Sequence, residues 1–463
     1  MLRLRNIALY GRGAHVVTDR SRSVLTAFKA RLHPRRHPRS GHRAVRGWAS
    51  ERWRELGPGL ITGASDNDPS GITTYSVAGA TTGYGLLWMA VFTVPLLVAV
   101  QSMSARIGAV KNEGLGKVIE ERFGRPWLMV SIVVLVTANI ATIAADLGGV
   151  AAGVHLLIPV PVKIVIPVVG LGLLAVEVFW SYRRFATILK WLTLVLGLYI
   201  LSGFAAGPDW SQVLAGTFVP HLSLSTEFLG TAVAILGTTI SPYMFFWITS
   251  QEAEEEQARG GPDLDDDPLS ATDAERARRR DVVAGMGYAN VVFYFIVLAN
   301  AATLGAHHIK IATAAQAANA LAPIVGRFDT VLFAVGLIGA GLIAVPVLAG
   351  SAAYPLAELF TWNEGLNKTL RGAPAFYAVI AAAVIIGIGG NYLGIDPVQG
   401  LVYAAVLQGC LAPFLIVIIT LIARDDSVMG EHHNGWFDTT FGFLAAAVMA
   451  VAAITLGAVS VLG

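Results

Sequence analysis

The sequence is poor in charge. Lys, Arg, Asp and Glu supply 14% of its 463 residues, where a soluble domain holds about a quarter. It has a single cysteine, Cys410, within an apolar run. An internal disulfide is therefore excluded, and a thiol nucleophile or cysteine-based metal cluster gains no support. Its glycine runs lack the spacing and helix context of a phosphate loop. No nucleophile–base arrangement stands out, so neither an enzyme nor a primary pump is expected. The adjacent pairs His307–His308 and His432–His433 fall in predicted loops, where sequence neighbours do not converge on one ion. No cofactor, nucleic acid or obligate protein partner is indicated.

What is abundant is apolar. Hydrophobic residues make up 55% of the chain, and 49 residues are glycine. This is the composition of an integral membrane protein, with small residues where helices pack closely. Spans of roughly 20 apolar residues recur, about eleven in all. They fall near Leu56–Ala78, Leu86–Ile107, Trp127–Leu156, Val162–Trp180, Phe185–Ala206, Phe228–Gln251, Val282–Leu304, Thr330–Phe360, Ala373–Ile388, Val398–Ala423 and Phe437–Val461. The expected fold class is an all-α polytopic membrane protein embedded in a lipid bilayer.

The loops orient it. Alternate loops carry the basic residues: Arg106 to Arg125, then Arg183, Arg184 and Lys190, then Arg276 to Arg280, then Lys368 and Arg371, then Arg424. Residues 207–227 and 389–400 hold no Lys or Arg. The positive-inside rule then puts the N-terminus inside and, with an odd span count, the C-terminus outside. Residues 1–55 are strongly basic and contain no apolar run suited to a secretory signal. They read as a disordered cytoplasmic tail. Residues 252–280, rich in acid and arginine, read as a charged cytoplasmic loop.

Two spans are broken. The first is interrupted at Asp68-Pro69-Ser70-Gly71, the sixth at Pro242. Proline removes a backbone donor and bars its neighbour from helical geometry. Ten core spans divide into two fives, residues 56–206 and 228–423, with the helix 437–461 left over. The breaks then occupy corresponding positions, which points to an inverted-repeat transporter with its site at the midplane. Carbonyls freed by unwinding must line a cavity or a ligand. A carboxylate at mid-membrane costs about 2.5–3.5 kcal/mol on insertion scales. Asp68 beside free carbonyls therefore reads as a cation site with hard oxygen donors. A simple kink with Asp68 bonded internally is the alternative.

"GPGLITGASDNDPSG" (Gly57–Gly71) resembles the first-span motif of the NRAMP family of transporters, and "TTISPY" (Thr238–Tyr243) falls where that family has a Met-Pro-His motif. The stretches "ADLGGVAAG" (Ala145–Gly153) and "AGSAAYPLAELF" (Ala349–Phe360) are also similar. The resemblance covers nearly all of residues 56–463. It implies a LeuT-type fold and divalent-metal transport by alternating access, with Mg²⁺ or Mn²⁺ as substrate, in the inner (plasma) membrane. It assigns metal contact to Asp68, to the carbonyls of Ser65 and Thr238, and to the position of Ser241. Asp66, Asn67, Gly71, Thr239, Tyr243 and Gln408 form the candidate outer shell. Asp66 and Asn67 either accept from ion-bound water or only polarise the vestibule.

The chain departs from the family pattern at these same places. Gly71 replaces an asparagine, Ser241 a methionine, Tyr243 a histidine and Gly149 a glutamate. Of the family's paired arginines only Arg371 is near, and its tenth-span glutamine aligns with Ala405. A thioether favours transition metals, whereas a hydroxyl is hard. Mg²⁺ dehydrates reluctantly, so a wide oxygen-lined site suits it. The resemblance is thus to the divergent magnesium-transporting branch. Tyr243, with a reference pKa of about 10, does not relay protons near neutrality, and Gly149 has no acid to offer. Weak or absent proton coupling is expected. Asp146 remains, either as a residual proton site or as a polar residue in a wetted cavity. A proton-coupled Mn²⁺/Fe²⁺ carrier and a sodium-coupled organic-solute carrier are the rival readings. An acid at the unwound turn would repel a carboxylate substrate, which weighs against the last.

Overall fold

The computed structural model describes residues 58–179, 196–259, 268–307, 309, 311 and 328–462. The tail 1–55, the first half of the fifth span (residues 185–195) and the acidic tract 263–267 lie outside the described residues. Among those described, the regular structure is entirely helical.

The first expected span is two helices, α1 (Pro58–Asp66) and α2 (Pro69–Thr82). Asp68 caps α2 and Pro69 takes its first turn, where a missing N–H costs nothing. A short turn at Gly83–Leu86, entered at a positive φ of Gly83, leads into α3 (Leu87–Lys111). Next come α4 (Leu115–Phe123), α5 (Arg125–Leu157), α6 (Val162–Phe179), α7 (Leu198–Ala205) and α8 (Trp210–Phe218). The sixth span is also split, into α9 (Thr226–Thr239) and α10 (Pro242–Arg259). The remainder is α11 (Pro268–Ala302), α12 (Phe328–Leu359), α13 (Pro374–Gly390), α14 (Pro397–Ala423), α15 (Asp426–Met429) and α16 (Trp436–Leu462). Nine helical stretches among the described residues are long and apolar enough to cross a membrane. The count differs from eleven because the first two spans run on through the Gly83 turn and only residues 196–206 of the fifth are described.

The charged loop expected over 252–280 is corrected. Helix continues to Arg259 and resumes at Pro268. Glu252 and Glu256 are buried there and bond Arg278 at 2.9 and 3.0 Å. Composition suggested a solvated linker, but these charges satisfy one another across two helix ends.

Helix contacts come in exchange-related pairs. The broken first span packs on α11, and α10 of the broken sixth packs on α3. The third span (α5) packs extensively on the eighth (α12), and α3 packs on α11. Swapping each span for the one five later reproduces this pattern, as an inverted repeat requires. At the first pair the approach is close: a Cβ on Gly63 would lie 2.3 Å from the Gly285 backbone. The last helix, α16, lies outside the pattern, against α14 and α3.

Loops assigned to the inside meet at one end. Arg122 pairs with Asp425, Arg106 with Asp438 at 2.9 Å, and Asn367 bonds Glu254 at 2.8 Å.

Candidate functional site

Both breaks meet at the centre. Asp68 Oδ1 accepts from Ser70 Oγ and the Gly71 amide, each at 2.6 Å, and from Thr238 Oγ1 at 3.4 Å. That oxygen holds the turn and ties it to α9. Asp68 Oδ2 has no hydrogen-bond partner among the described residues. One oxygen serves the fold and the other is spare.

Further spare oxygens surround it. Asp66 Oδ1, Asn67 Oδ1 and both oxygens of Asp146 are buried without a hydrogen bond. Asp66 is 1% exposed, and Asp68 and Asp146 are fully buried. Asp146, on α5, feels the Asp68 charge, and the Ser70 amide approaches it without closing a hydrogen bond of good geometry. The Asn67 amide donates to the Ala289 carbonyl at 3.4 Å. Buried carboxylates with idle oxygens are costly unless a cation or a proton joins them. No three acid, histidine or cysteine side chains among the described residues stand close enough to hold a metal unaided. Any ion held here takes further donors from carbonyls, hydroxyls and water.

The second break contributes those groups, already engaged with protein. Ser241 Oγ donates to the Gly237 and Thr238 carbonyls at 2.8 Å. Tyr243 Oη donates to the Ser65 carbonyl at 2.7 Å. Thr239 Oγ1 bonds Tyr75 Oη at 3.1 Å. The carbonyls of Ser65 and Thr238 therefore each carry one protein hydrogen bond and keep a second lone pair. Ser65 Oγ turns back to the Thr62 carbonyl at 2.8 Å. Gln408 donates to Thr142 Oγ1 at 2.7 Å, and its own Oε1 is idle.

The glycines at the departures have local causes. A Cβ on Gly71 would stand 3.0 Å from Thr238 Oγ1 and 3.3 Å from Asp68 Oδ1. The space expected from losing an asparagine is thus taken up by those two groups in this structure. A Cβ on Gly149 would stand 3.0 Å from Pro69 Cβ and 3.3 Å from Leu401. The proline of the first break stands in tight contact with the point where a glutamate side chain would begin.

The structure thus brings Ser65, Asp66, Asn67, Asp68, Gly71, Thr238, Thr239, Ser241 and Tyr243 to the two breaks, with Asp146 beside them. Gln408 is joined to α5 through Thr142. Sequence reading passed over Ser70, Tyr75 and Thr142. For Ser70 a signal existed, since Asp-Pro is a helix cap followed by a first-turn proline. Tyr75 and Thr142 lie inside regular helices and carried none.

Residues 59–458 match the model of a family described as natural resistance-associated macrophage protein-like. A divalent metal cation transporter, MntH, of Verminephrobacter eiseniae is 29% identical over 413 residues, covering 86% of this chain and 88% of its own. The manganese transporter of Eremococcus coleocola superposes with a TM-score of 0.70 at 20% identity, covering 91% of this chain and 88% of its own. MhsT, solved with L-phenylalanine, gives 0.55 at 12% identity, with 88% and 98% covered. The fold shared with these carriers is the inverted repeat expected from the paired breaks, of the LeuT type that the family resemblance implied.

Proposed function

The chain belongs to the NRAMP family, and on that premise we propose that it carries divalent metal cations across the plasma membrane by alternating access, taking Mg²⁺ and Mn²⁺ with weak or no proton coupling. The observation that carries the reading is the idle, buried oxygen of Asp68 at the first break, with further idle oxygens on Asp66 of the same break and on Asp146 of α5 nearby. Such a cluster attracts a doubly charged ion and repels an anionic solute. Asp68 Oδ2, the remaining lone pairs of the Ser65 and Thr238 carbonyls, and Ser241 Oγ after rotation are the inner donors. All are hard oxygens, and hard oxygens suit Mg²⁺ and Mn²⁺ above softer ions. Asp66 and Asn67, Thr239 and Gln408 offer acceptors to ion-bound water, while Gly71 keeps the turn free of a side chain.

Alternating access follows from the breaks. Each half-helix ends at the site, so α1 and α10 can shift on one side while α2 and α9 shift on the other.

Asp146 supports a second reading. Both of its oxygens are idle, and a protonatable acid beside the ion is what a proton-coupled Mn²⁺/Fe²⁺ carrier needs. Uptake of Mg²⁺ and of Mn²⁺ into proteoliposomes, with internal pH recorded, separates the two. Uptake of both ions without acidification is expected. Metal-dependent acidification overturns the uncoupled reading, and Mn²⁺ uptake without Mg²⁺ uptake overturns the Mg²⁺ assignment.

A further inference from the structure

A second set of idle oxygens lies away from the breaks, at the end where the loops assigned to the inside meet. A cavity of about 320 Å³ opens between the end of α3, α10, and the end of α12 with the turn that follows it. Asn112 Oδ1, Glu113 Oε2, Ser250 Oγ, Glu358 Oε1 and Glu364 Oε2 all belong to residues lining it. Each is buried without a hydrogen bond among the described residues.

Glu358 is built into place. It is 9% exposed, and its Oε2 accepts the Lys117 amide at 2.9 Å, at the start of α4. Its Oε1 is left facing the cavity. Two glycines admit the carboxylate: a Cβ on Gly114 would lie 1.6 Å from Oε1, and one on Gly116 2.2 Å from Oε2. The charges of Lys117 and Lys368 act on these acids, but neither lysine forms an ion pair with Glu358 or Glu364 among the described residues. Lys117 Nζ is engaged by Glu113 Oε1, and Lys368 lines the cavity, its charge acting on Glu364 and Glu254. Glu254 is already satisfied by Tyr354 Oη at 2.5 Å, the Leu366 amide at 3.1 Å and Asn367 at 2.8 Å. Burial, then the Glu358 and Glu254 charges, push the Glu364 carboxyl up to about 9.

We propose that this cavity is a second cation site, taking one hydrated divalent ion of the hard class, held by Glu358 and Glu364 with Asn112, Glu113 and Ser250 accepting from its waters. The idle atoms are all oxygens, which hard cations prefer. The acids are too dispersed to surround a bare ion, but the volume admits one with its waters. Six waters take up roughly 180 Å³ at about 30 Å³ each. Lining groups come from both α10 and α12, so the ion fastens the second half of the broken sixth span to the eighth. The site stands on its own geometry. Its consequence, that an ion accumulating at this end slows further transport, rests on the reading proposed above.

The test uses the full chain in nanodiscs with Mn²⁺ as a spin probe and Mg²⁺ as competitor. An Asp68→Ala background removes the central site. Electron paramagnetic resonance is expected to count one bound Mn²⁺ per chain there, displaced by Mg²⁺ and not by Na⁺ at matched ionic strength. Glu364→Gln and Glu358→Gln in that background are each expected to abolish it. Glu364 lies outside the helices, and glutamine at 358 keeps an acceptor for the Lys117 amide. Absence of bound Mn²⁺ in the background, or unchanged binding in the glutamine variants, overturns the second site. Undiminished binding on adding Asp68→Ala to the Glu364→Gln chain counts instead against the central one.

Discussion

Tyr243 Oη donates to the Ser65 carbonyl across 2.7 Å. The bond ties the second half of the broken sixth span to the first half of the broken first span. At the position where the family carries a histidine, this chain has a latch between the two moving half-helices. Tyr243→Phe removes the latch and leaves both backbones in place. A loss of about 1 kcal/mol is expected, visible as a modest drop in thermal midpoint in detergent. Uptake and its accompanying internal pH trace should be unchanged in kind. Collapse of uptake would show that the hydroxyl acts in transport itself.

Asp68 has two duties that a pair of variants separates. Asparagine caps a helix about as well as aspartate, so Asp68→Asn keeps the Ser70 and Gly71 bonds while removing the charge. Its thermal midpoint should match the parent chain, with Mg²⁺ and Mn²⁺ uptake down at least tenfold, or about 1.4 kcal/mol. Asp68→Ala loses the cap as well and should be less stable by about 1 kcal/mol. Full uptake by Asp68→Asn would remove the charge from the ion's path.

Ser241 offers a hydroxyl where a thioether would be soft. Ser241→Met should lower Mg²⁺ uptake relative to Mn²⁺ and Cd²⁺ by roughly tenfold, following ligand hardness. Competition uptake assays measure the ratio directly. An unaltered ratio sinks the hardness argument for this position.

A buried ion-pair network anchors the last helix. Arg106, 6% exposed, bonds Asn434 at 2.7 Å and Asp438, 2% exposed, at 2.9 Å. Arg279 approaches Asp438 at 3.4 Å. Breaking a buried pair on one side costs up to about 3–5 kcal/mol because the other charge is stranded, and less here in so far as Glu275, 3.1 Å from Arg106 Nε, still faces the arginine. Asp438→Leu should therefore lower the thermal midpoint more than the double replacement Arg106→Met with Asp438→Leu. Equal losses in the single and double variants would place the pair's energy elsewhere.

Much of the fold was legible because two signals are local. Spans show as apolar length, and breaks show as proline beside a capping acid. The expected span Val398–Ala423 and helix α14 (Pro397–Ala423) differ by a residue. Helix inside the charged segment 252–280 was not legible. Glu252 and Arg278 find each other only when two helix ends lie side by side. The candidate site divides the same way. Asp68 could be singled out from charge, depth and breakers, whereas the partners of Ser241 and Tyr243 could not. The Lys117 amide that Glu358 accepts is 241 residues away, and no periodicity encodes such a pairing.

The amino-acid order alone determined a helical membrane protein with two matched breaks and an acid at the first, because hydropathy, proline and buried charge act within a few residues of chain. The tertiary structure alone decided which oxygens are spent on the fold and which stay idle. That depends on which donors the packed helices bring to each oxygen, near neighbours such as Ser70 and Gly71 as well as Thr238, 170 residues on, at 3.4 Å. It is why Asp68 has one oxygen committed and one free, why Asp146 has two free, and why a second group of idle oxygens exists around Glu358.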